Sequence, residues 1–148
     1  MKVVKRIIII FSFILVILIL SFFLRNYMFD KAILHLKEDK YYYALYYLKP
    51  LVFVGYSKAQ KIFGECYAFG HGVEKHKEKA KYWLRRAYNG SNCNDDRCVA
   101  ADLYFIGYKY LEGVGVEIDR KEAISWIKMA ADNGYPKAVE FMSQIPAP

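Results

Sequence analysis

Two hydrophobic patterns divide this chain. Residues Ile7 to Leu24 are apolar except at Ser12 and Ser21, with Lys2, Lys5 and Arg6 before them and Arg25 after. Downstream, apolar positions recur at helical spacing in short blocks broken by glycine. Those blocks predict helices over about 57–69, 76–89, 99–112 and 119–133. A weaker pair is predicted over 28–37 and 41–54, where Pro50 is expected to kink or end the second member. A closing helix is expected over 135–144, followed by a frayed Pro146-Ala-Pro148 tail.

The blocks repeat at an offset of 43 residues. Gly64/Gly107, Tyr67/Tyr110, Gly70/Gly113, Gly72/Gly115, Val73/Val116, Glu74/Glu117, Ala80/Ala123, Trp83/Trp126 and Ala87/Ala130 are identical in register. A period of this length predicts stacked helix pairs, each unable to bury its apolar face alone. Gly70 and Gly113 fall where the first helix of each copy must stop, and Gly72 and Gly115 let the chain reverse closely. Asp119 with Glu122 reads as a reciprocal capping box. The first copy has His76 instead, a weaker start from which more fraying is expected. Gly55-Tyr-Ser-Lys-Ala59 is echoed by Gly134-Tyr-Pro-Lys-Ala138, which extends the pattern to both sides of the two copies.

As a helix, Ile7 to Leu24 would measure roughly 27 Å, close to the hydrocarbon thickness of a bilayer. A cleavable signal would end in small residues, whereas Ser21-Phe-Phe-Leu-Arg-Asn-Tyr27 offers bulky ones. The expectation is therefore an uncleaved anchor, the alternative being secretion after cleavage. The basic residues ahead of the segment keep the N-terminus in the cytoplasm by the positive-inside rule. The remainder is then exported: periplasmic from a bacterial inner membrane, or lumenal in a eukaryote, the bacterial reading being preferred. Three regions follow: an anchor (1–27), a degenerate helix pair (28–56), and two repeats with a capping helix (57–148).

The formal net charge is +7, but four of the 22 basic side chains and no acid lie within residues 1–27. The rest of the chain, with 18 basic against 15 acidic side chains, is too balanced to point to nucleic acid. Of the three cysteines, Cys93 and Cys98 bracket a short loop between the copies and form a disulfide candidate in an oxidising compartment. Cys66 is expected to pack as a free, buried thiol. His35, His71 and His76 share no metal-ligand spacing with the cysteines. There is no phosphate loop or nucleophile motif, so no catalytic residue, metal or cofactor is expected.

Trp83, Trp126, Tyr67 and Tyr110 recur at equivalent positions, as packing between helices requires, and are expected in the core. The basic run Lys75, Lys77, Lys79, Lys81, Arg85 and Arg86 reads as a solvated helix face, with an acidic partner or headgroups as the alternative. Tyr41, Tyr42, Tyr43, Tyr46 and Tyr47 cannot all face one side of a helix. Some must be exposed, and tyrosine combines a large ring with a polar tip, which makes this cluster the leading candidate for partner contact. Contact with the membrane surface is the competing reading. Positions where the copies disagree, such as Cys66/Lys109, His76/Asp119, Lys81/Ile124 and Tyr88/Ala131, have room for specific contact. Lys109, Lys81 and Arg85 join the tyrosines as candidates.

Ile106-Gly107, Tyr110, Gly113-Val-Gly115-Val116, Asp119, Glu122-Ala123, Trp126, Lys128-Met-Ala130-Ala131 and Gly134 resemble the pattern of the Sel-like repeat family, relatives of the tetratricopeptide repeats. Phe63-Gly64, Tyr67, Gly70-His-Gly72-Val73, Lys79-Ala80, Trp83 and Ala87 resemble it a second time, without the aspartate and the second alanine. The family's period is nearer 36 residues, so an insertion of about seven is expected around 91–97. The resemblance implies an all-α, right-handed solenoid of antiparallel helix pairs behind one transmembrane helix. It further implies a non-enzymatic protein-binding module whose concave face takes a partner protein. Exported members of this kind resemble immunity proteins that neutralise periplasmic toxins, among them secretion-system phospholipases; an envelope scaffold is the other reading. The partner's identity and the oligomeric state are not legible in the chain.

Overall fold

The computed structural model describes residues 2–88 and 97–145. Among the described residues every regular element is helical: α1 (Lys2–Lys37), α2 (Tyr41–Phe53), α3 (Ser57–Phe69), α4 (Lys77–Ala87), α5 (Arg97–Glu112), α6 (Arg120–Asp132) and α7 (Pro136–Ser143). The chain is an α-solenoid of antiparallel helix pairs behind one long apolar helix. It divides into two compact units, Met1–Leu51 and Val52–Pro148.

In the first unit, α1 runs unbroken from the apolar segment through residues 28–37. No proline or glycine separates the two stretches, so nothing interrupts the backbone ladder where the sequence suggested a boundary. The helix is long and apolar enough to cross a membrane. Ser12 and Ser21 donate to the carbonyls of Ile8 and Ile17, each at 2.6 Å, so neither hydroxyl is left unmatched in that stretch. A short turn leads to α2, and the His35 ring stacks on Tyr47 (5.6 Å) and lies tilted against Tyr43 (5.5 Å). Pro50 does not end α2, which continues to Phe53. The bond that its missing N–H forgoes would have gone to Tyr46, which like Pro50 lies on the exposed side.

In the second unit each copy forms one hairpin, α3 with α4 and α5 with α6. The core joins them through Phe69, Leu84, Leu103, Ile106, Tyr110, Trp126 and Ile127, and α7 adds Ala138. The hairpins close because Gly64 and Gly107 carry no side chain. A Cβ on Gly107 would lie 2.6 Å from Ile127 Cγ1 and 2.9 Å from the Ala123 carbonyl oxygen. On Gly64 it would lie 2.9 Å from Leu84 Cγ and 3.0 Å from the Ala80 carbonyl oxygen. Equivalent bonds close both turns: His76 N–H donates to Tyr67 O at 2.9 Å and Asp119 N–H to Tyr110 O at 3.0 Å. Gly70 and Gly113 leave their helices with φ of 79° and 69°, the left-handed region where a Cβ is costly.

The second helices begin unequally. Asp119 Oδ1 accepts from Glu122 N–H at 2.9 Å, while His76 Nδ1 accepts from Lys79 N–H at 3.4 Å. The reciprocal half of the expected capping box is not made. Asp119 N–H is already engaged by Tyr110, so the Glu122 carboxylate turns to Trp126 Nε1 at 3.1 Å and Lys77 Nζ at 2.9 Å. The echoed segments match in structure: Tyr56 and Tyr135 both sit extended at the N-cap, and Ala59 and Ala138 are both buried.

Two stability outcomes are expected in chemical denaturation. Gly107→Ala should cost about 1–3 kcal/mol despite its better helix propensity, because one clash is with backbone that cannot swing away. Gly64→Ala should cost less. His76→Asp should stabilise by about 1 kcal/mol by supplying a stronger cap.

Candidate interaction surface

The two copies are stitched together by polar contacts as well as by core. Asp102, on α5, is only 8% exposed, and both its oxygens are used. Oδ1 meets Lys61 Nζ of α3 at 2.7 Å, and Oδ2 accepts from the hydroxyl of Tyr88, at the end of α4, at 2.9 Å. Burial alone would depress the Lys61 ammonium, but the hydrogen bond and charge of Asp102 outweigh it and raise the pKa. Burial and the same carboxylate both push the Tyr88 phenol up. On the opposite side Lys77 bridges α4 to α6 through Glu122 and Ser125, at 2.9 and 2.8 Å, over the Trp126 ring. Tyr110 hydroxyl donates to the Ala68 carbonyl of α3 at 2.7 Å.

Between the first helices of the two copies lies a cleft of about 230 Å³ lined by Lys61, Glu65, Asp102, Phe105, Ile106 and Lys109. Lys109 reaches Glu65 at 3.5 Å and stands 5.0 Å over the Phe69 ring. Phe105 is 55% and Tyr108 is 45% exposed, one helical turn apart on α5. That spacing puts two large rings on one face beside a row of paired charges.

Of the tyrosine candidates, Tyr42, Tyr43 and Tyr46 are 75%, 56% and 67% exposed, while Tyr41 and Tyr47 are half-buried. Tyr41 donates to Asp39 at 2.7 Å and Tyr47 lies under His35. Arg85 is exposed and Lys81 half-buried on α4. In the rest of the basic run Lys75 and Lys79 are exposed and Lys77 and Arg86 half-buried, and all four also lie against rings. Lys75 sits 5.2 Å over Tyr110, Lys79 lies 5.5 Å over Tyr67, and Arg86 covers Tyr82 and Trp83. The negative faces of these rings attract the ammonium and guanidinium groups, while Lys75 and Lys79 stay exposed to solvent.

Tyr110 and Trp126 are fully in the core, but their counterparts differ. Tyr67 and Trp83 are half-buried in an aromatic group with Phe63, Tyr82 and Phe53. Trp83 lacks the carboxylate that holds Trp126, since Lys79 stands where Glu122 does. Ala80, Ala123 and Ala130 are buried and Ala87 is half-buried. Cys66 is free and buried. Cys93 and residues 91–96 of the expected insertion lie outside the described residues, and Arg97 already opens α5. Among the described residues no three of His, Cys, Asp and Glu are grouped to hold a metal ion.

A family model for the Sel1 repeat matches residues 57–92 and 100–135, the two hairpins with the connections that follow them. The chain carries two Sel1 repeats. A solved Sel1 repeat protein from Oxalobacter formigenes is similar, with 28% sequence identity and a TM-score of 0.42. The likeness covers 77% of this chain and 44% of that one, so this chain corresponds to less than half the length of that protein. Sel1 repeats generally mediate protein–protein interaction. In this chain the Asp102–Tyr88–Lys61 set lies between the repeats, at positions where they differ: Ala59 is the first-repeat counterpart of Asp102, and Ala131 the second-repeat counterpart of Tyr88. Comparing the copies position by position exposes that signal, since an acid at a buried register position needs partners.

Burial, with a smaller push from Glu65, raises the Cys66 thiol from 9.0 to about 12. Burial, then the charges of Glu122 and Asp119, raise the Tyr110 phenol from 10.0 to about 12. Both groups release protons more readily in the unfolded chain. Their stabilisation is therefore complete below about pH 9 and is lost as the pH rises toward 12. Thermal unfolding should show a midpoint that is flat through pH 7–8.5 and falls above it, more gently in Cys66→Ala. Asp102→Ala should cost about 1–3 kcal/mol in chemical denaturation and Tyr88→Phe about 1 kcal/mol, since the first orphans two partners and the second one.

Proposed function

We infer that this chain is a non-enzymatic, membrane-anchored adaptor that takes a partner protein on the α3–α5 face of its Sel1 repeats. The observation that carries the reading is the pairing of exposed Phe105 and Tyr108 beside the Lys109–Glu65 and Lys61–Asp102 ion pairs. Large rings at the centre of a patch, ringed by polar groups already compensated, are what a partner surface can cover without stranding a charge. The apolar length of α1, with three basic residues ahead of it and Arg25 after, supports an anchor with the repeats on the outer side. That side permits the Cys93–Cys98 disulfide.

The test is affinity capture of the full chain from membranes of its own cell, followed by a binding assay with the identified protein. Phe105→Ala/Tyr108→Ala should weaken binding at least tenfold while shifting the melting midpoint by no more than a few degrees. Undiminished binding by this double variant sinks the α3–α5 surface. Capture of a secreted toxin would narrow the role to immunity, and capture of resident envelope proteins would narrow it to a scaffold.

A further inference from the structure

The helix α1 outlasts its apolar run, and the helix after it folds back. From Leu24, the last apolar residue of the run, α1 continues for 13 residues to Lys37, a rise of about 20 Å at about 1.5 Å per residue. The chain then turns at Asp39, whose φ is 54°, and both Tyr43 and Tyr47 of α2 lie against His35 of α1. α2 also has 13 residues and runs unbroken through Pro50 to Phe53. Helices paired in this way cross at roughly 20–50°, so α2 returns about 13–18 Å of the rise. Phe53 therefore lies roughly 2–7 Å above the hydrocarbon, inside a headgroup layer of about 5–8 Å, while Tyr42 at the other end of α2 stays well above it.

What the chain carries at Phe53 is an exposed apolar and aromatic patch. Phe53 and Val54 are 75% and 76% exposed. Phe53 meets Trp83 edge to face at 6.5 Å, and Trp83 meets Tyr82 at 5.0 Å. The Arg86 guanidinium lies over both the Tyr82 and Trp83 rings and donates to the Tyr82 hydroxyl at 3.0 Å. Along the chain, Lys49, Lys58, Lys79 and Arg86 lie within four residues of the patch against one acid, Glu78, and Lys81 and Arg85 there are already engaged.

We propose that this patch, Phe53, Val54, Tyr82 and Trp83, rests in the headgroup layer of the membrane that holds α1, giving the chain a second contact with the bilayer. The proposal rests on the anchored reading above. Rings with a polar tip suit that layer, since the ring body meets the acyl boundary while the tip stays wet. The basic excess around the patch complements the phosphates of anionic lipid. Lys49, one turn before Phe53 on the same stripe of α2, falls at the phosphate level instead of being stranded in hydrocarbon. A small contact suffices, because the anchor already confines the patch to the membrane surface.

The experiment places a reporter tryptophan at three levels of α2, as Tyr42→Trp, Tyr46→Trp and Phe53→Trp, in the full chain reconstituted into phosphatidylcholine/phosphatidylglycerol vesicles. A nitroxide on the lipid headgroup should quench the added emission, measured against the unmodified chain, increasingly from Tyr42 to Tyr46 to Phe53, spanning about threefold. Adding Val54→Asp to Phe53→Trp should bring its quenching down toward that of Tyr42→Trp, with circular dichroism unchanged because both side chains are exposed. Quenching at Phe53 no greater than at Tyr42 overturns the proposal. So does blue-shifted emission from Phe53→Trp without quenching, the signature of protein covering the patch. An alkaline carbonate wash separates the two readings. Retention of the chain without a quenching gradient overturns this proposal alone, whereas release of the chain overturns the anchored reading and this proposal with it.

Discussion

Backbone-to-backbone approach within each hairpin is the constraint on which the rest of the structure depends. At Gly64 and Gly107 the paired helices meet so closely that even a methyl group would strike the carbonyl of Ala80 or Ala123. Close approach brings the small residues Ala80 and Ala123 into full burial and lets Leu84 and Ile127 cover the glycines. Dispersion and apolar burial gain from every ångström of that approach. The positive-φ glycines at 70 and 113 then turn the chain immediately, and the Tyr67 and Tyr110 carbonyls hold the returning strand of backbone through His76 and Asp119.

Once two hairpins exist, their stacking is decided by side chains that the repeat pattern does not require. Tyr110 reaches back to Ala68, Lys77 reaches forward to Glu122, and Asp102 gathers Lys61 and Tyr88 from different helices. Tyr110 and Asp102 are buried, so without these partners each would leave an unmatched polar atom away from water, while Lys77 and Glu122 pair in a half-exposed position. The cost of leaving any one unpaired makes the stacking specific, where apolar contact alone would tolerate sliding. The same interface leaves Phe105 and Tyr108 outside, since α5 presents its other face to the core.

The helix pairs were legible because their signals are local. Ser57–Phe69 matches its expected span, and α6 starts at the Asp119 cap and runs to Asp132, within the expected 119–133. Errors arose where a local rule met a competing partner. Pro50 was read as kinking or ending its helix; it does not end it, because losing one bond on an exposed side did not outweigh the burial of Leu51 and Val52 beyond it. Glu122 was read as closing a capping box, but an indole and an ammonium offered its carboxylate better use. The basic run, read as solvated, keeps Lys75, Lys79 and Arg85 exposed, and rings of both repeats lie within reach of its ammonium groups as well.

Period, glycine placement and helix caps act within a few residues, so the sequence by itself determined the all-helical class, the two repeats, their turns and the long apolar helix ahead of them. Only the tertiary structure decided which equivalent residues are equivalent in environment. Trp126 is sealed and Trp83 is not, because one has a preceding repeat's Lys77 and its own Glu122 around it and the other has neither. The Lys61–Asp102 and Tyr110–Ala68 contacts span 41 and 42 residues. Such contacts depend on how one hairpin stacks on the next, a geometry set by the sum of many side-chain fits rather than by any local preference.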